Sequence, residues 1–356
     1  MLRKRGTTDY GFFLKHAGLA ALGASILVVA ALTVASAAPP AAPPGAVVTK
    51  LASVLAESHA NHKSYLFFAD RVKELTGGKL IINVYPNSQL GNEREYVEFL
   101  QTGQIEFGRT ATAVLGAFVP QFQAFDLPYL FKNKQQMFKA ADGELGQILL
   151  KLLAEKLNIK GLGFFDDGTR CLYNSKRPVY LPADLKGMKV RTMESQIMIR
   201  TFNMLGAAAT PLPYGELYSA LQQGVVDAQE NPIATIHVHK FYEVAKYISL
   251  TNHIYAPIPL SITDRRWQGF SPPDKAAFQK AASEVSVWHR KAVVDEENQM
   301  LDEMKAKGAT VIKPDVPAFA RASRPVYDKA AAEYPKADLK SLLKDTEAIK
   351  AKYPVK

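Results

Sequence analysis

Residues 187–232 read GMKVRTMESQIMIRTFNMLGAAATPLPYGELYSALQQGVVDAQENP, and the rest of the chain can be organised around them. A strand-like run of Met188, Lys189 and Val190 ends on a single arginine, Arg191. A helix-like segment follows, and the stretch closes in a turn carrying Asn231 and Pro232. Arginine stays charged, is rarely buried unpaired, and offers a planar fork that matches a carboxylate through two parallel hydrogen bonds. Spacing leaves two readings open: a structural salt bridge to Glu194 or Asp227, or a guanidinium that holds an anionic ligand.

Upstream, Val47–Leu55 reads as a strand followed by a polar loop. Tyr65, Phe68, Ala69 and Val72 recur at helical spacing until Thr76-Gly77-Gly78 stops the helix, and Leu80–Tyr85 alternates as a second strand. Strand, helix, strand implies a parallel pair, whose ligands sit at the carboxyl ends, so the loops after Val54 and Tyr85 are candidate pocket walls. Gly91–Arg94 opens a further helix, Ile105–Arg109 is a strand and Thr110–Thr112 its exit. Glu144–Leu157 is an apolar amphipathic helix and Lys160–Phe165 a strand. The chain changes character at Asp166-Asp167-Gly168-Thr169-Arg170, where a glycine between one finished strand and the next serves as a hinge. Ser271-Pro272-Pro273-Asp274 is a helix start, and Lys275–Lys307 contains no Pro or Gly. A helix of about 33 residues at ~1.5 Å each is roughly 50 Å long. Trp288 and Val294 are expected to face the core, Val311–Lys313 is a last strand, and Pro325 and Pro335 break the helical region that follows.

VRTMES, Pro213 and Tyr214, GELYSALQQGVVDAQENP, and then KFYEVAKY followed by TNH resemble the DctP-type solute-binding proteins of tripartite ATP-independent periplasmic (TRAP) transporters. The resemblance runs from about Leu51 to about Tyr334. It implies an α/β fold of two lobes joined by a hinge, with one long helix spanning both. The expected division is 47–167 plus 257–296 for the first lobe and 168–256 plus 297–340 for the second, with 341–356 as a C-terminal tail. It further implies that Arg191 clamps a ligand carboxylate, Arg170 supports it, Tyr214 walls the pocket, Asn231 donates an amide and Glu93 edges the cleft. Without the resemblance, Arg170 reads equally as a salt bridge to Asp166 or Asp167. Glu194 stands where some members carry a neutral residue; an anion there accepts from a solute hydroxyl or pairs with an arginine. An acidic residue of sialic-acid-binding members is replaced by Ala111, which speaks against that substrate. The segment Phe125–Phe131 (FDLPYLF) resembles a family segment that packs under the cleft.

Met1–Ala37 reads as a secretory signal, with Arg3, Lys4, Arg5 and Lys15, an apolar run from Ala17 to Val34, and Ala35-Ser36-Ala37 as an A-x-A cleavage site. A Pro/Ala linker, 38–46, follows. The formal charge of +10 over 356 residues is spread without a basic run, and export removes nucleic acid as a partner. The lone cysteine, Cys171, excludes an intramolecular disulfide. No metal or cofactor is expected: His237 and His239 lie two apart on a helix and do not face one another. Asp227 and Glu230 read as turn-stabilising rather than as an acid/base pair or calcium ligands. The chain shows no G-x-S-x-G or H-E-x-x-H, so a secreted hydrolase or lyase has no motif in its favour. The expectation is capture of an organic acid in the periplasm and its delivery to TRAP membrane subunits. The alternative is a sensor-input protein with the same pocket.

Overall fold

The computed structural model describes residues 43–333, with Ala348 and Ala351 as isolated further helical positions. The signal, linker residues 38–42, Pro335, the rest of the 341–356 tail and the Val294 side chain lie outside the described residues. The strands are β1 (Val47–Ala52), β2 (Leu80–Tyr85), β3 (Phe107–Arg109), β4 (Ile159–Asn174), β5 (Lys189–Thr192), β6 (Ala208–Pro211), β7 (Ala228–Pro232), β8 (Tyr247–Thr263) and β9 (Thr310–Ile312). They form one mixed sheet in the order β2-β1-β3-β8-β4-β7-β5-β6, with β9 beside β8.

At one end, β1 pairs parallel with β2 and β3. The helix Ala60–Leu75 crosses between β1 and β2 and buries Tyr65, Phe68, Ala69 and Val72, the four positions whose spacing marked it. Phe68, Phe107 and Phe278 meet there with ring centroids 5.5–6.5 Å apart; each such ring stabilises by roughly 1.5–3 kcal/mol on burial. At the other end, β5 lies parallel to both β6 and β7 over a core that includes Leu172, Val190 and Phe202.

The middle of the sheet departs from the expectation of two strands separated by a glycine hinge. β4 runs 16 residues without ending, paired antiparallel with the 17-residue β8 and shifted in register at Asp166/Gly168. The charged run Asp166–Arg170 resembles a solvated loop only in isolation. In the fold Asp166 pairs with Lys134 at 3.1 Å, and Asp167 accepts from Asn61 at 3.0 Å and from Arg109. His253 accordingly lies inside β8 rather than before a strand. The second departure is Ala228–Pro232, expected as a turn. It is β7, buried at all five residues and paired antiparallel with β4 from Asn174 to Arg170.

The long helix runs Pro272–Ala306, 35 residues, with the Ser271 side chain accepting from the Asp274 amide. At ~1.5 Å per residue it extends about 52 Å, touching the helix Ala60–Leu75, β4 and β9. Its buried line is Ala281, Ala282, Val285, Ser286 and His289, so Trp288 falls off that stripe. Trp288 is 42% exposed and meets Phe67 edge-on at 5.3 Å, which corrects its expected inward orientation. The break at Pro325 is present, between helices Val316–Ser323 and Pro325–Glu333.

Candidate functional site: a cleft around Arg191

β5 positions Arg191 one residue before its end, where the side chain is 2% exposed. Nε and Nη2 donate to the Leu212 carbonyl at 2.8 and 2.5 Å. Nη1 is buried with no hydrogen-bond partner among the described residues. Neither acid expected from spacing reaches it. Glu194 accepts from Arg94 at 3.2 Å, and Asp227 accepts from the Lys189 amide at 3.0 Å and pairs with Lys176. Burial, joined by repulsion from Arg170, holds the Arg191 pKa below the ordinary arginine value. A buried charge without a counterion is costly, and a structure retains one where something external supplies the missing anion.

Arg170, on β4, is fully engaged. Nε and Nη2 meet the Glu230 carboxylate at 2.5 and 2.8 Å, and Nη2 also reaches Asn231 Oδ1 at 3.0 Å. Its dominant partner is therefore Glu230; Asp167 lies at 3.7 Å and Asp166 makes no ion pair with it among the described residues. Burial alone would raise the pKa of Glu230, but Arg170 and His253 bring it down to about 2. Asn231 donates in turn to Gln229 Oε1 at 2.9 Å. His253 Nδ1 bonds Thr251 Oγ1 at 2.9 Å, and its Nε2 sits 3.3 Å from Glu230.

Glu93 opens the helix Glu93–Thr102 and is 7% exposed. Its Oε1 accepts from Arg109 Nη1 and from the Ala111 amide. Arg109 gives its other terminal nitrogen to Asp167, so two carboxylates share one guanidinium. Burial lifts the Glu93 pKa above its ordinary value in spite of Arg109, and Asp167 adds to the rise. Tyr214 stands edge-on to His239 and Phe241, at 5.3 and 6.0 Å, with its hydroxyl buried and unpartnered.

Glu93, Arg94, Arg191, Glu194, Leu212 and Tyr214 line one cleft of about 270 Å³. Across Tyr214 lies a second space of about 390 Å³, bounded by Val54, Asn87, Ser88, Tyr218, His239 and Phe241. The loops after β1 and β2 are thus pocket walls, as strand order implied. Arg191, Tyr214, Glu93 and Glu194 come together at the cleft; Arg170 and Asn231 form a neighbouring network closed on itself. Arg109 and Asp167 were not singled out from sequence. Arg109 ends β3 much as Arg191 nearly ends β5, and that shared pattern, an arginine at the carboxyl end of a strand, is the signal available for it.

Residues 51–333 match the bacterial extracellular solute-binding proteins of family 7, DctP. The chain belongs to this family. Among solved structures it is similar to a TRAP periplasmic solute-binding protein from Polaromonas sp. JS666 bound to D-erythronate, at 35% identity and a TM-score of 0.81 over 85% of this chain and 99% of that one. It is also similar to one from Sulfurospirillum deleyianum with bound succinate, at 32% identity and a TM-score of 0.80 over 85% and 99%. The 2,3-diketo-L-gulonate-binding periplasmic protein YiaO of Escherichia coli is 34% identical over 72% of this chain and 78% of its own. The fold is the two-lobed α/β architecture of these DctP-family structures, and the family is one of solute-binding proteins.

Proposed function

We propose that this protein captures an organic acid in the Arg191 cleft and delivers it in the periplasm to the membrane subunits of a TRAP transporter. The observation that carries the reading is Arg191 Nη1, buried at the cleft with no hydrogen-bond partner and no ion pair among the described residues. A ligand carboxylate exchanges its hydration for that guanidinium as the cleft closes. The lobes that close are 47–167 with 257–296 and 168–256 with 297–340, and residues 1–37 are the export signal. Tyr214 walls the carbon skeleton and Arg170, held by Glu230, keeps Asn231 in place beside the clamp. Glu93 and Glu194 stand at the rim as acceptors. Acid–base catalysis has no place in this scheme.

A charge-assisted hydrogen bond of this kind contributes about 1.5–3 kcal/mol. A thermal-shift screen of the secreted protein against organic acids should find one class that raises the melting temperature, with a loss on the order of 10- to 100-fold in affinity for Arg191→Ala. Retention of wild-type affinity by Arg191→Ala would return Arg191 to a structural role.

A further inference from the structure

We infer that the cleft selects a monocarboxylate whose remaining polar groups are hydroxyls, and that Glu93 is the residue that excludes a second carboxylate. The inference rests on the proposed clamp at Arg191 and adds the charge balance around it. Three arginines are buried close together: Arg109, Arg170 and Arg191. Arg170 is matched by Glu230, with Asp167 3.7 Å from its Nη1. Arg109 is overmatched, with Glu93 on one terminal nitrogen and Asp167 on the other. Of the three, only Arg191 has no ion pair among the described residues, so the site has one cation to offer a ligand and, next to it, two carboxylates sharing the Arg109 guanidinium.

One of those carboxylates lies where the rest of the ligand must go. Glu93 lines the same cleft as Arg191. Its Oε1 takes both the Arg109 and Ala111 bonds, and Oε2 makes no hydrogen bond among the described residues, which leaves it to the cleft. Glu194, whose charge Arg94 matches, lines the cleft as a second acceptor. A hydroxyl satisfies such acceptors by donating. A carboxylate has no proton to donate and sets a like charge beside Glu93 in a partly desolvated space, an arrangement that strongly disfavours ionisation of both groups. Family membership leaves this choice open, since relatives of similar identity are seen with D-erythronate and with succinate. Here Glu93 and Asp167 on a single guanidinium decide it.

The test is calorimetric binding by the secreted protein of matched pairs that differ in one terminal group: erythronate against tartrate, and gluconate against glucarate. The expected result is a preference for the monocarboxylate of at least one pair by about 100-fold. Glu93→Gln should shrink that ratio by roughly tenfold or more through tighter binding of the dicarboxylate. A dicarboxylate that binds wild type within a few-fold of its partner overturns the inference without any variant, as does an unchanged ratio in a folded Glu93→Gln protein. If dicarboxylates bind and Arg191→Ala abolishes it, the clamp stands and the filter alone has failed. If no acid in an extended C3–C9 panel binds, the clamp itself has failed, and the filter with it.

Discussion

Among the cleft residues Arg191 is a buried cation whose Nη1 has no hydrogen-bond partner among the described residues. The anionic counterpart within the molecule is Asp126, a carboxylate 2% exposed that accepts from Ser195 at 2.7 Å and Thr112 at 3.3 Å and has no ion pair among the described residues. Burial pushes its pKa up to about 7 from an ordinary 3.8, against the pull of its hydroxyl donors and Arg170. The folded state therefore holds this proton where the unfolded chain has released it. Stability from this residue is greatest below about pH 4, falls as pH rises through the window to about 7 and is constant above it, a loss on the order of 4 kcal/mol at most. Urea unfolding of Asp126→Asn between pH 4 and 8 should show that slope flattened; an unchanged slope would mean that other groups carry it.

At the scale of elements, β4 and β8 run as unbroken strands through the proposed boundary between lobes, so on that division flexibility has to come from irregularities within a ladder. Gly168 is such a point, with φ of +107° at a register shift, and a Cβ there would lie 2.5 Å from Pro232 Cβ. Gly168→Ala is expected to destabilise by about 1–3 kcal/mol. Gly187→Ala, at φ of +76° with nothing within 4 Å of the added carbon, tests backbone strain alone and should cost less. Equal midpoint shifts in chemical denaturation would show that the Pro232 contact is immaterial. The same elements show what sequence can reveal. Helix Ala60–Leu75 and strand Leu80–Tyr85 were legible because each buries one face, and burial leaves a period in the sequence. β7 and the centre of β4 were not, because they bury charged and polar residues paired across strands, and a pairing between Arg170 and Glu230, 60 positions apart, leaves no local period. For the site, Arg191 was legible as an arginine at a strand end. Its lack of an acid partner was not, since Glu194 and Asp227 are near in sequence and turned elsewhere.

For the whole molecule, binding must favour one arrangement of the lobes over another, and a ligand shifts that balance only by as much as its contacts differ between them. The cleft supplies such a difference. Arg191 and Glu194 come from the segment 168–256, Glu93 and Arg94 from 47–167, and all four line one space; on the proposed lobe division, a ligand touching both sets would gain full contact only with the lobes together. The helix Pro272–Ala306 packs against the helix Ala60–Leu75, β4 and β9, and so touches both proposed segments. Solution X-ray scattering should therefore show the radius of gyration fall when a saturating acid is added to the secreted protein, and show no change for Arg191→Ala at the same concentration. A wild-type profile unaltered by a ligand that calorimetry shows to be bound would mean that the cleft is already closed when empty. In that case recognition by the membrane subunits would have to read the ligand or a local loop, not the angle between the lobes.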